Sequence, residues 1–172
     1  MANAREVFAG HPQIEVDGAS AGWTRLHFPP TSESREIVTG YLREELADLA
    51  TDLREHLALA VDELLGNAIE HGGKRDSRGK VAFSLLRTPR MLLFYVGDAG
   101  PGFSLDAIKH AAVSNPPDDP LHHAQVRNQM GMRPGGFGIL LVKQIADELI
   151  YSEQGNEVIL VKYLDRDSAN HS

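Results

Sequence analysis

The stretch VDELLGNAIEHGG, residues 61–73, decides how the chain is read. At about 100° per residue, Leu53, Leu57, Ala60, Val61, Leu64, Leu65 and Ala68 share one broad stripe, as an amphipathic helix packed on a core requires. Glu63 and Asn67 lie four residues apart, within about 40° of each other, at the edge of that stripe. A carboxylate one turn before a carboxamide at the margin of a buried face can point into a cleft. The same spacing also describes the polar border of an ordinary amphipathic helix. His71, one turn further on, is a residue the helix dipole favours near a C-terminus, and Gly72-Gly73 supply a left-handed stop.

Working outward, a helix is predicted from Ser32, with Ile37, Val38, Tyr41, Leu42, Leu46 and Leu49 at helical spacing, Thr31 or Ser32 as N-cap and Glu33 in the first turn. Before it, IEV and WTRLHF flank the turn DGASAG as two short strands, ended by Pro29-Pro30. The helix of the opening stretch begins near Thr51 or Asp52. After it, KVAFSLLR and MLLFYVGD read as strands separated by Thr88-Pro89-Arg90, an antiparallel hairpin whose near-continuous apolarity implies a sheet covered by helices. GGFGILLVKQIADEL, residues 135–149, resumes helical spacing, and EVILVKYL closes as a strand. Residues 104–134 carry NPPDDP and lack a long element, which in a compact domain marks a lid. The tail DRDSANHS is expected to be frayed. Strands and helices in this order make one α/β layer sandwich.

A chain of 172 residues has room for one sizeable domain. Its 42% hydrophobic and 24% charged residues argue against wholesale disorder. Having no cysteine, it cannot use disulfides, thiolate zinc or a cysteine nucleophile. A formal charge of −7 leaves no basic surplus for nucleic acid or anionic membrane, whereas an oppositely charged protein patch stays open as a partner. No stretch approaches the roughly 20 apolar residues of a membrane span, and the N-terminus has no signal-peptide core, so the expected location is the cytoplasm.

Two further stretches carry polar or glycine-rich patterns. In VGDAGPGF, residues 96–103, Asp98 leaves a strand and Gly100 and Gly102 follow it. Glycines there allow either a sharp turn or the close approach of a ligand to the main chain. Asp98 is a turn former or an acceptor for a ligand N–H. In RPGGFG, Arg133 to Gly138, glycines run directly into a helix start, whose unsatisfied N–H groups and positive dipole end attract anions. The P-loop pattern GxxxxGK[ST] and GxGxxG are both absent.

In this order and at these separations, the three stretches resemble the ATP-binding boxes of the GHKL superfamily. ExxxNAxxH matches Glu63 to His71, DxGxG matches Asp98 to Gly102, and GGxG matches Gly135 to Gly138, within a region from about Trp23 to Leu164. The chain is most similar to the bacterial anti-sigma-factor serine kinases, in its length, in GGFGILLVKQIADEL and in the ending NEVILVKYL. The residues before Trp23 do not supply the dimerisation helices and phosphoacceptor histidine of a histidine kinase, and the further domain of a gyrase-type protein is missing. Ile139 stands where leucine is usual, and the Pro-rich passage with His122-His123 has no assigned counterpart.

The resemblance implies a two-layer sandwich of a mixed, mostly antiparallel sheet covered on one face by helices. Residues 1–22 would be an N-terminal extension, possibly an added strand. Residues 23–164 would be the ATP-binding domain, with a lid at about 104–134, and residues 165–172 a disordered tail. It also implies roles. Glu63 would be the catalytic base for an incoming serine hydroxyl, and Asn67 would hold Mg²⁺ through its amide oxygen. Asp98 would accept from the adenine amino group while Gly100 and Gly102 make room for the purine. Gly135, Gly136 and Gly138 would bring N–H groups to the phosphates of ATP, and His71 and Phe137 fall inside the nucleotide-binding boxes. Arg133 would either neutralise phosphate charge or be a solvated loop residue. The implied function is a Mg-ATP-dependent protein-serine kinase and anti-sigma factor, with a STAS-type anti-anti-sigma factor and a sigma factor as partners, acting as a homodimer through its first strands. Two alternatives stay open: an ATP-dependent partner-binding module without phosphotransfer, and a related kinase with a target outside sigma regulation.

Overall fold

The computed structural model describes residues 4–20, 22–72, 79–98 and 137–164. Its strands are β1 (Glu15–Ser20), β2 (Trp23–Phe28), β3 (Val81–Arg87), β4 (Met91–Gly97), β5 (Glu148–Tyr151) and β6 (Glu157–Tyr163). Its helices are α1 (Ala4–Val7, continued by a 3₁₀ turn at Phe8–Gly10), α2 (Ser32–Glu45), α3 (Thr51–Gly72) and α4 (Phe137–Ile145). The expected lid at 104–134, the tail at 165–172, and Gly100, Gly102, Arg133, Gly135 and Gly136 lie outside the described residues.

The six strands form one sheet in the order β1-β2-β3-β4-β6-β5, and all five pairings are antiparallel. The expected two-layer sandwich with a mostly antiparallel sheet forms, and among the described strands every pair is antiparallel. The β3–β4 hairpin forms as its three-residue connection predicts, with Ala82 opposite Gly97 and Arg87 opposite Leu92. Alternation then sends Leu26, Phe28, Phe83, Leu85, Leu92, Phe94, Val96, Val158 and Leu160 to one face, each at most 7% exposed. Against that face pack Val38 and Leu42 of α2 and Leu57, Val61 and Leu65 of α3, all fully buried. Burying each such side chain contributes roughly 1.5–3 kcal/mol.

Thr31 caps α2: its backbone is extended, and its Oγ1 accepts from the Ser34 N–H at 3.2 Å. The helix stops at Glu45, short of the expected Leu49. Leu46 and Leu49 still serve the core, from the connection to α3. Gly22 closes the β1–β2 turn at φ +78°, and its carbonyl accepts from the Arg87 N–H at 2.6 Å. At the N-terminus, Phe8 stacks obliquely on Tyr41 with centroids 5.0 Å apart.

Two stretches differ in kind from their prediction: Asp17–Ser20, expected as part of the turn DGASAG, extends β1 and pairs with β2, and the end of the last helix is a strand. Helical spacing suggested a helix as far as Leu149, yet α4 ends at Ile145 and Glu148–Tyr151 is the edge strand β5. The Asp147 N–H donates to the Val161 carbonyl at 2.9 Å, and Leu149 pairs with Leu160. A free sheet edge on β6 offers these residues ladder hydrogen bonds while still burying Leu149 against the core, and this outweighs one further helical turn. No described helix is long and apolar enough to cross a membrane.

Candidate functional site

Helix α3 carries the polar residues singled out at its edge to two different neighbours. Asn67 lines a cleft between α3 and the sheet, together with Leu64, Ala68, Val96 and Asp98. The opposite wall is the β5–β6 turn, contributing Tyr151, Gly155 and Asn156. Residues 31 positions apart, Asn67 and Asp98, therefore line one cleft that mixes apolar and polar side chains.

Asp98 follows β4 directly and is held there through its main chain. Its N–H donates to the Asn156 carbonyl at 3.0 Å, and Asn156 Nδ2 donates back to the Asp98 carbonyl at 3.2 Å. Asn156 is in turn oriented by Ser152, whose Oγ donates to Asn156 Oδ1 at 3.1 Å and lies 3.2 Å from the Glu157 N–H. Gly155, at φ +71°, supplies the left-handed backbone that this turn needs. Both bonds between Asp98 and Asn156 use main-chain atoms of Asp98.

Burial pushes the Tyr151 phenol up to about 12, so it is neutral across the physiological range. On the other face of the sheet, Tyr95 donates to Glu157 Oε1 at 2.7 Å. Burial, that hydrogen bond, and the charges of Glu157 and Asp98 push it up to about 12 as well. Gly97, directly before Asp98, lets the Tyr95 ring fold over it: a β-carbon there would fall 2.9 Å from the Tyr95 Cζ.

Glu63 turns toward α4 instead of the cleft. A β-carbon on Gly138 would lie 2.8 Å from Glu63 Cδ and 3.2 Å from its Cγ. The carboxylate thus rests at the first turn of α4, where main-chain N–H groups lack intrahelical acceptors and the dipole is positive. Glu63 and Gly138, 75 positions apart, are in contact, which explains why the glycine pattern matters at this point of the helix. His71 and Phe137 lie in the helices, at the last turn of α3 and the first residue of α4; their side chains are outside the described set.

Sequence reasoning missed three members of this region. Asn156 carried the signal of a Gly-Asn turn between strands, but nothing in that signal shows that the turn faces Asp98. Asp62 and Gly66 stood inside the opening stretch and were passed over. They hold Arg35 of α2: Arg35 Nε and Nη2 donate to Asp62 Oδ1 and Oδ2 at 2.7 and 2.5 Å, and the guanidinium rests against Gly66. No group of three or more His, Cys, Asp or Glu side chains with metal-binding geometry occurs among the described residues. Asn67 offers the cleft a single neutral amide oxygen, a donor that Mg²⁺ accepts while it keeps most of its ligands as water and substrate oxygen.

Comparison with known proteins places the chain in context. The profile of one family, the histidine kinase-like ATPase domain, matches residues 28–162. Curated relatives named serine-protein kinase RsbW align as well. The protein of Listeria monocytogenes is 29% identical over 112 residues, covering 64% of this chain and 66% of that protein. That of Oceanobacillus iheyensis is 25% identical over 111 residues, covering 64% and 65%. That of Bacillus subtilis is 28% identical over 133 residues, covering 77% and 73%. The chain thus spans just under two thirds of the length of the first two of these relatives.

Proposed function

The chain belongs to the histidine kinase-like ATPase domain family, and from that premise we propose that it is a Mg-ATP-dependent protein-serine kinase and anti-sigma factor. Its substrate is a STAS-type anti-anti-sigma factor, and it also holds a sigma factor. The observation that carries this reading is the pairing of two contacts made by one helix edge: Asn67 in a cleft with Asp98, and Glu63 against Gly138. Relatives named serine-protein kinase support the choice of acceptor.

In this reading the purine sits in the cleft with its amino group donating to the Asp98 carboxylate, over the apolar surface of Leu64, Ala68 and Val96. The clasp on Asn156 fixes the height of that carboxylate. Asn67 would hold Mg²⁺ through its amide oxygen, and the ion would supply neutralisation of phosphate charge. Main-chain N–H groups at the start of α4, together with Gly135 and Gly136, receive the phosphates, with Arg133 assisting from the lid. Glu63 takes the serine proton as the serine oxygen bonds to the γ-phosphorus and the bond to ADP breaks. Lid closure excludes water and favours serine over hydrolysis.

The chain acts in the cytoplasm as a homodimer. The outer face of the sheet supports the dimer: Trp23, Leu86 and Leu93 stand side by side across β2, β3 and β4, a half-buried apolar row on the face opposite α2 and α3 that ends at the buried Val161. The deciding experiment is incubation with labelled ATP, Mg²⁺ and purified STAS-domain proteins, with mapping of phosphoserine. Tight capture of a STAS protein with no label would replace the kinase by a binding module. Calorimetry showing no uptake of Mg-ATP would remove the nucleotide site itself.

A further inference from the structure

We propose that Arg35 is a positioning residue for Glu63, seated in a notch that Gly66 leaves open on α3 and locked there by Asp62. The inference rests on the reading of Glu63 as the base.

Glycine is disfavoured in a helix interior relative to alanine, and Gly66 lies well inside the 22-residue α3. Its surroundings supply the reason. A β-carbon at Gly66 would fall 2.8 Å from Arg35 Nη1, 3.0 Å from Cζ and 3.3 Å from Nη2. Any larger residue would push the guanidinium off the helix.

Within the notch, Arg35 makes a two-pronged bond to Asp62, the residue immediately before Glu63. Thr39 steadies the pair from α2, its hydroxyl lying 2.8 Å from the Arg35 carbonyl and 3.1 Å from Asp62 Oδ1. The guanidinium and Asp62 are about one quarter to one third exposed, so the fork is sheltered without being deeply buried. Hydrogen bonding to Asp62 holds the guanidinium proton more tightly than usual, against the opposing effect of burial, with smaller contributions from the Asp62, Glu63 and Glu36 charges.

Residues three apart on a helix are neighbours, with β-carbons about 5–6 Å apart, so a cation lying on Gly66 stands beside Glu63. On the other flank of Glu63 is the positive first turn of α4, at Gly138. Two fixed positive poles on α2 and α4 thereby bracket one carboxylate on α3. The fork also cancels the charge of Asp62, which would otherwise stand as a second bare carboxylate where a triphosphate and a serine must meet. A fork of this kind needs arginine, because a lysine ammonium cannot engage both carboxylate oxygens in one plane.

The test uses the full chain with Arg35→Met, Gly66→Ala and the double variant. Melting temperature, Mg-ATP affinity by calorimetry and single-turnover phosphate transfer from ATP, to a purified STAS-domain protein and to water, are read for each. Gly66→Ala is expected to keep or raise the melting temperature and to leave ATP affinity within about twofold. Its single-turnover rate is expected to fall about tenfold to a hundredfold, the scale of a small misplacement. The double variant should be no slower than Arg35→Met alone, since both changes remove the same guanidinium. A Gly66→Ala chain that matches the parent rate overturns the inference and leaves the kinase reading intact, as does a double variant whose losses multiply. A parent that binds ATP and passes phosphate to neither a STAS-domain serine nor water overturns the assignment of Glu63 and this inference with it.

Discussion

Asp98 and Asn156 hold each other through two hydrogen bonds, the Asp98 N–H on the Asn156 carbonyl at 3.0 Å and Asn156 Nδ2 on the Asp98 carbonyl at 3.2 Å. Neither bond uses the carboxylate. Asp98→Asn should therefore keep this main-chain clasp while it removes the charged acceptor. A hydrogen bond to a charged group contributes about 1.5–3 kcal/mol, so ATP affinity should fall roughly tenfold to a hundredfold with the fold retained. Calorimetry and thermal unfolding on the same sample check both halves.

Asn156→Ala makes the complementary change. It deletes the Nδ2 donor and the Oδ1 acceptor of Ser152 while Asp98 keeps its carboxylate. Stability should drop by about 1 kcal/mol for the lost hydrogen bonding, and ATP affinity should weaken because the carboxylate loses its fixed height. An Asn156→Ala chain with parent affinity would show that the clasp does not position Asp98.

Gly138→Ala tests the contact between α4 and Glu63. The atoms that a β-carbon would meet are the far end of a flexible side chain, so Glu63 is expected to swing aside while the fold stays intact. Alanine in a helix is favoured over glycine by up to about 1 kcal/mol, which should hold or raise the melting temperature. Phosphate transfer should nevertheless fall. Glu63→Ala, which retains the glycine, should keep ATP binding and lose about 10²–10⁴ in transfer rate, the range for a positioned general base. Rapid-quench measurement on both variants separates displacement of the base from its deletion.

Stability should carry a pH signature at Glu45, in the last turn of α2. This residue is 7% exposed, and its Oε2 is buried with no hydrogen-bond partner. Burial pushes its carboxyl above the ordinary 4.5, partly offset by Arg87 and reinforced by Asp48. A carboxyl raised in the folded state binds its proton more tightly there than in the unfolded chain. Its unfavourable contribution is thus present at neutral pH and relieved as pH falls through the raised value toward 4.5. Glu45→Gln should be more stable than the parent at pH 7, with the gap narrowing on acidification, as urea unfolding at both pH values will show.

The outer face of the sheet makes a prediction about assembly. Leu93 stands between Leu86 and Val161 in the apolar row that begins at Trp23. Leu93→Lys places a charge in the middle of that row without touching the helix-covered face. Sedimentation should find a dimeric parent and a monomeric variant; a dimer that survives the substitution would move the interface elsewhere.

The sequence by itself determined the elements with strong periodicity. α3, the β3–β4 hairpin and the start of α2 follow from stripe, turn and cap, because each is decided by residues within one or two turns of one another. It also carried Glu63, Asn67 and Asp98 as candidates, since their spacing within each stretch is a local property. The end of α4 was not legible in this way. Helical spacing runs on to Leu149, and Glu148 to Tyr151 form a strand because the β6 edge, between seven and thirteen residues later, offers them a ladder.

Tertiary structure alone decided which of those candidates meet. Asn67 faces Asp98 and Asn156, whereas Glu63, on the same edge, faces Gly138. A helix edge records which residues lie together along the helix, but the neighbour that covers each turn is set by how the sheet order brings β4, the β5–β6 turn and α4 around it. Arg35 shows the same limit most clearly. Its partners Asp62 and Gly66 lie 27 and 31 residues away, and only the packing of α2 on α3 turns an interior glycine into a seat for a guanidinium.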